Sequence, residues 1–233
     1  GQAPADAGGL SRAKDATPNP VNRIFLGIIK RKLKPRKDAR DRAFLDFYSM
    51  KLAAGDIAID CGANVGKVSA NWAKSGAIVY AFEPNPHAFK ILDERLASHP
   101  NAHCFQQAVL DRNDRVKLYF HVGSDEDELR WSSGSSLLSF KENVRQDKFA
   151  EVEAIDLAEF IRALDANVKV LKLDVEGVEH AILRKLIKSG LHTRIENIFV
   201  ETHESQVPEL KADTDELHAL IKAMNITNIN LEW

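Results

Sequence analysis

The chain is poor in cysteine: Cys61 and Cys104 are its only two, and neither belongs to a CxxC pair. Both sit in apolar, strand-like runs, so they read as buried, reduced thiols, as expected of a cytoplasmic protein, and not as a disulfide framework or a zinc site. No apolar run approaches the length needed to span a membrane, and no secretory leader is visible, in a sequence that begins with Gly. No excess of one charge is present either. A formal net charge of -2 over 233 residues gives no general reason to expect a nucleic-acid partner. No internal repeat stands out.

What is present is the composition of an ordinary globular domain, 44% hydrophobic and 28% charged, at a length suited to one sizeable domain. Residues 1 to about 20 are rich in Gly, Ala and Pro and lack periodicity, and a basic run from Lys30 to Arg42 is interrupted by Pro35. Residues 1–42 are therefore expected to form a flexible, basic linker, with residues 23–42 able to touch a membrane surface. The domain itself is expected over residues 43–233.

From Phe44 onward apolar strand-like runs alternate with helical spacing. A helix over Phe44–Met50 is followed by strands at Ile57–Cys61, Ile78–Phe82, His103–Val109, Arg115–His121, Val168–Asp174, Ile198–Glu201 and Ile226–Trp233. Helices are expected over Gly66–Lys74, Pro86–Ser98, Gly177–Ser189 and Thr214–Met224, the last capped by Asp213 or Thr214. Residues 123–150 read as one long loop, a candidate lid in which Trp131 would stack on an acceptor beside Gly134, Ser135 and Ser136. Strands separated by helices imply an α/β, Rossmann-like, doubly wound and mainly parallel sheet with helices on both faces.

In such a sheet, ligands bind beyond the carboxyl ends of the strands. The segment Asp60-Cys61-Gly62-Ala63-Asn64-Val65-Gly66 leaves the first strand there and enters a helix. Glycines in that turn let backbone approach a ligand closely. Glu83 follows the second strand, where a carboxylate can accept hydrogen bonds from both hydroxyls of a ribose, each contributing about 1.5–3 kcal/mol; the lesser alternative is a carboxylate that stabilises the dipole of the next helix. The dinucleotide pattern G-x-G-x-x-G fails here, since Asn64 replaces the middle glycine and the last glycine comes early. Asp60 would also face a pyrophosphate badly. It suits S-adenosylmethionine (SAM), whose amino-acid end carries an ammonium group.

These blocks, with Phe82-Glu83-Pro84-Asn85-Pro86, Gln107-Ala108-Val109-Leu110-Asp111, Gly134-Ser135-Ser136-Leu137, Leu171-Lys172-Leu173-Asp174-Val175-Glu176-Gly177-Val178-Glu179 and Phe199-Val200-Glu201-Thr202-His203, give a sequence that resembles the FkbM-type class I methyltransferases over residues 50–233. Cys61, where that family commonly has a small or β-branched residue, departs from the pattern. The resemblance implies a seven-stranded sheet whose last strand is antiparallel, and methyl transfer from SAM to a hydroxyl oxygen, often of a sugar or a small hydroxylated metabolite. It implies a donor site formed by Asp60, Gly62, Asn64, Gly66, Glu83, Gln107, Ala108 and Asp174.

A hydroxyl needs its proton removed as it attacks, so a base is expected. Asp174, Glu176, Glu201 and His203 should converge at neighbouring strand ends. His203 leads by its intrinsic pKa, followed by Asp174, with Glu201 beside them. The same carboxylates could instead hold a divalent metal, Mg²⁺ or Mn²⁺. His180, one turn beyond Glu176, reads as that acid's surface partner. A noncatalytic SAM-fold module of a larger protein is the alternative to an enzyme.

Overall fold

A computed structural model describes residues 39–125, 135–139, 144–204, 207–231 and 233. The expected linker up to residue 38, most of its basic run, and Trp131 and Gly134 of the expected lid lie outside the described residues. Helix α1 (Ala39–Ser49) begins before the domain boundary expected at residue 43.

Five successive units follow: β1 (Ile57–Cys61), α2 (Lys67–Lys74), β2 (Ile78–Phe82), α3 (Pro86–Leu96) and β3 (Ala102–Phe105). Next come β4 (Ala108–Leu110), β5 (Asp114–His121), β6 (Val144–Asp156) and α4 (Leu157–Ala163). The chain ends with β7 (Val168–Leu173), α5 (Glu179–Lys188), β8 (Ile195–Val200), α6 (Lys211–Ala223) and β9 (Ile229–Asn230).

The main sheet has the order β3-β2-β1-β7-β8-β9, and every pair in it is parallel. It has six described strands where seven were expected. Its last strand, β9, is parallel to β8 where an antiparallel one was expected. The connection explains this: α6 carries the chain across the sheet face and returns it in the direction of β8, whereas antiparallel neighbours arise from a reversal without such a crossover. Antiparallel pairing occurs instead in a second sheet, β4-β6-β5, between β5 and β6.

Two sequence expectations change here. The single strand expected over His103–Val109 is two strands, β3 and β4, in different sheets. The long loop expected over residues 123–150 contains the start of β6, which is 13 residues long. Its charged residues follow no simple alternation, which hid the strand, because only some of its side chains reach the core.

The main sheet is buried on both faces, as its apolar strands require. Ile57, Ile59, Leu171 and Leu173 pack with Leu157, Ile161, Ile182, Leu183 and Leu186 from α4 and α5. On the other face Ala58, Val79, Ala81 and Val170 leave room for Trp72, Leu92, Leu96 and Phe47. Local signals set the helix ends. Asn85 accepts hydrogen bonds from the backbone N–H groups of His87 and Ala88 at the start of α3, with Pro86 in the first turn. Gly190 follows α5 with φ 73°, the expected stop. The cap expected at Asp213 or Thr214 is absent: α6 starts at Lys211, and the Thr214 hydroxyl donates to Leu210 O within the helix.

Candidate active site

Strand order reverses between β1 and β7, and an open α/β sheet has its crevice at that switch point. A cavity of about 320 Å³ lies there, and the ends of β1, β2, β7 and β8 supply Gly62 and Asn64, Glu83, Asp174, and Glu201 and His203 to its lining. Gln107, Ala108, Ser135, Ser136 and Glu176 also line it. Eight of the residues singled out from the sequence as donor-site or catalytic candidates therefore meet in one place. Asp60 and Gly66 do not line the cavity. Asp60 is wholly buried at the end of β1, accepting from Ser69 Oγ at 2.6 Å and lying 3.4 Å from Lys172 Nζ. Gly66 forms the turn into α2 at φ 74°.

The loop after β1 is tied at both sides. Asn64, at φ 50°, is one of the few non-glycine residues in the left-handed region, and its backbone N–H donates to Glu83 Oε2 at 2.7 Å. Glu83 Oε1 accepts from the Asn85 backbone N–H at 2.8 Å. Burial pushes the Glu83 carboxyl up to about 7, against the lowering effect of those two N–H groups. Gly62 could be nothing larger: a Cβ on it would stand 1.8 Å from Asp174 O.

Opposite lies the acidic end. His203 is 2% exposed. Its Nδ1 lies 3.1 Å from Oε1 of the fully buried Glu179, and its Nε2 lies 3.5 Å from Glu176 Oε2 and 3.8 Å from Asp174 Oδ1. Burial alone would lower the His203 pKa, but the Glu179 ion pair, then Glu176 and Asp174, outweigh it and raise it to about 9. Free of ligands, His203 is thus an imidazolium at neutral pH, with no lone pair to act as a base. Glu201 is raised above the ordinary carboxylate range by burial and then by Asp174. Glu176 adopts φ 61°, and its carbonyl accepts from Ser136 Oγ at 2.8 Å.

Two residues of this site were not assigned roles from the sequence. Glu179 accepts from the backbone N–H groups of Val175 and Gly177, shaping the turn that carries Asp174 and Glu176. Lys172 is buried between Asp60 and Asp174. Its signal was ambiguous: the strand Val168–Leu173 holds two lysines, and Lys169 pairs with Glu196 on the exposed side, so burial of Lys172 is seen only in the fold. His180 reverses its expected place: it is buried, and its Nε2 lies 2.8 Å from Thr214 Oγ1, not on the surface beside Glu176.

The sequence matches the family model of the methyltransferase FkbM domain over residues 60–225. The chain belongs to the FkbM methyltransferase family. A search of curated proteins gave no match. Among solved structures, this FkbM-domain chain is distantly similar to precorrin 8W decarboxylase from Methanobacterium thermoautotrophicum, at 16% identity and a TM-score of 0.34 over 66% of this chain and 59% of that one. It is similar to a TehB-like SAM-dependent methyltransferase from Corynebacterium glutamicum, at 17% identity and a TM-score of 0.21 over 37% of this chain and 45% of that one. A third similar structure is a SAM-dependent methyltransferase from Geobacter sulfurreducens in complex with S-adenosyl-L-homocysteine, at 17% identity and a TM-score of 0.24 over 36% of this chain and 35% of that one. The chain spans less than two thirds of each of these. Among the described residues of the FkbM domain and its flanks, no helix is long and apolar enough to cross a membrane.

Proposed function

We propose that this FkbM-domain protein is a SAM-dependent O-methyltransferase acting on a hydroxyl of a sugar, a glycan or a small hydroxylated metabolite. The observation that carries the reading is the cavity at the switch point, lined by the carboxylate of Glu83 from the end of β2 and by Asp174, Glu201 and His203 from the ends of β7 and β8. Its size is within the range of small-molecule sites. SAM supplies an electrophilic methyl group on a sulfonium.

In this reading Glu83 accepts the ribose hydroxyls, Gly62 and Asn64 shape the wall beside the amino-acid end, and Gln107 and Ala108 border the adenine. Asp60 and Gly66 act from outside the cavity, by fixing the loop between them. Asp174 lies beside the sulfonium and the incoming acceptor. Glu201 takes the acceptor proton, since burial raises its pKa above the ordinary carboxylate range and so strengthens it as a base. His203, held as a cation, orients Asp174 and Glu176, and serves as base only after losing its own proton.

A second reading has a specific observation behind it: one ligand atom from each of Asp174, Glu176 and His203 lies within 4.8 Å of the others. The two carboxylates suit Mg²⁺ or Mn²⁺, and the imidazole nitrogen, once His203 has lost its proton, suits Mn²⁺ better than Mg²⁺. The deciding experiment is calorimetric titration with SAM, S-adenosylhomocysteine and NAD, with and without Mg²⁺, followed by mass spectrometry of hydroxylated acceptors incubated with SAM. SAM and its demethylated product should bind, NAD should not, and an acceptor should gain one methyl. Binding without transfer to any acceptor would favour a noncatalytic module of a larger protein. Absence of binding by either sulfur compound would end the donor reading.

A further inference from the structure

Lys172 is a buried cation to which the reaction above gives no task. It belongs to β7, among Val168, Val170, Leu171 and Leu173, and is 5% exposed. An ammonium taken out of water needs close compensation. Four oxygens supply it: Gly62 O at 2.9 Å, Asp174 Oδ2 at 3.1 Å, Asp60 Oδ1 at 3.4 Å and Cys61 O at 3.5 Å. The ring of Trp233 lies 5.5 Å from Nζ. Burial alone would lower the lysine pKa, but Asp174 and Asp60 outweigh it and hold it above the ordinary value.

Those oxygens come from the two strand ends that flank the switch point: Asp60, Cys61 and Gly62 from β1 and its loop, and Asp174 from the end of β7. Nζ therefore joins the two sides of the crevice from below, since Lys172 itself is not part of the cavity lining. Of the two Asp174 oxygens, Oδ2 is held by Nζ, and Oδ1 is the one nearer His203 Nε2.

We propose that Lys172 is a positioning residue, which ties Asp174 to the Gly62 carbonyl and thereby fixes Asp174 Oδ1 toward the sulfonium side of the donor. This rests on the SAM reading of the cavity. A lysine that served only to neutralise Asp60 during folding would have a different signature. SAM and S-adenosylhomocysteine share nearly all their contacts, but only SAM carries the positive sulfur. A cavity that has merely lost its shape weakens both ligands alike. A displaced Asp174 weakens SAM more.

The test is calorimetric titration of both ligands into the unmodified protein, Lys172→Met, Asp174→Asn and the double variant. Lys172→Met should lose roughly tenfold more affinity for SAM than for S-adenosylhomocysteine, the scale of one charge–charge contact displaced near a protein surface; deleting the lysine's own charge would by itself favour the cationic ligand, so a preferential loss of SAM reports the displaced Asp174. In the Asp174→Asn background, Lys172→Met should change that ratio by less than about twofold, because its effect passes through Asp174. Equal weakening of both ligands by Lys172→Met, or a ratio that stays put, would overturn the proposal. Should Lys172→Met fail to fold, Lys172→Met combined with Asp60→Asn removes both members of a buried pair, the milder change, and the same shift in ratio is expected. An unmodified protein that binds neither ligand overturns the donor reading and this role together, whereas normal binding with an unshifted ratio in the variants overturns the role of Lys172 alone.

Discussion

Glu83 sits near half-ionised at neutral pH, because burial has moved its carboxyl to about 7. A ribose clamp needs the ionised form, which accepts on both oxygens. SAM affinity measured by calorimetry should therefore rise from pH 6 to pH 8 and level off above it. Glu83→Gln should flatten this profile, and Glu83→Ala should weaken SAM at least about tenfold, the loss of one charge-assisted hydrogen bond. A flat profile in the unmodified protein would remove Glu83 as the clamp. His203 gives a second pH signature, in stability. Its folded pKa of about 9 lies above the ordinary 6.5, so its contribution is complete below pH 6.5 and is lost as pH rises through 9. Denaturant unfolding in the presence of a chelator should show a decline on the order of 3 kcal/mol across that window. His203→Gln should abolish the slope, and a slope that survives in the variant would show that another group causes it.

At the scale of elements, the turn from β1 toward α2 depends on backbone contact with the turn after β7. The two meet at Gly62 and Asp174, where no Cβ fits. Gly62→Ala should push these strand ends apart, eliminate SAM binding and lower the thermal midpoint. Gly190→Ala is the control: it has φ 73° but nothing within 4 Å of where a Cβ would stand, so it should cost only about 1–2 kcal/mol for the left-handed backbone and leave SAM affinity intact. Circular dichroism melting and calorimetry on the two variants separate backbone strain from loss of the close approach. Similar loss of binding in both would mean that general destabilisation, not this contact, is responsible.

For the whole molecule, the cavity draws on four strand ends and on Ser135 and Ser136 beside the second sheet, so a ligand there braces both sheets. Binding to the folded state alone stabilises it by about 2.7 kcal/mol at a ligand concentration of 100 Kd. S-adenosylhomocysteine should raise the unfolding midpoint of the intact protein, and at the same concentration raise it much less in Glu83→Ala. An equal rise in both would place the ligand elsewhere.

The order of strands and helices through β3, and again from β7 onward, was legible because buried parallel strands are apolar throughout and their helices carry plain stops and caps such as Asn85 and Gly190. The glycine turn after β1 was legible because the close approach of Asp174 O leaves no room for a Cβ at Gly62, and Glu83 was legible as a carboxylate at the end of β2. Three matters were decided only by tertiary structure. β6 was hidden because its charged residues satisfy no simple alternation. The direction of β9 depends on where α6 lies, which no local sequence states. The contacts of Lys172 with Asp60 and of His203 with Glu176 and Glu179 join segments distant in the chain, and burial beside particular charges, not residue type, sets whether a histidine is a base or a cation. Sequence determined the fold class and the ends of the strands where chemistry gathers; packing decided which of those side chains face the cavity and in what state of charge.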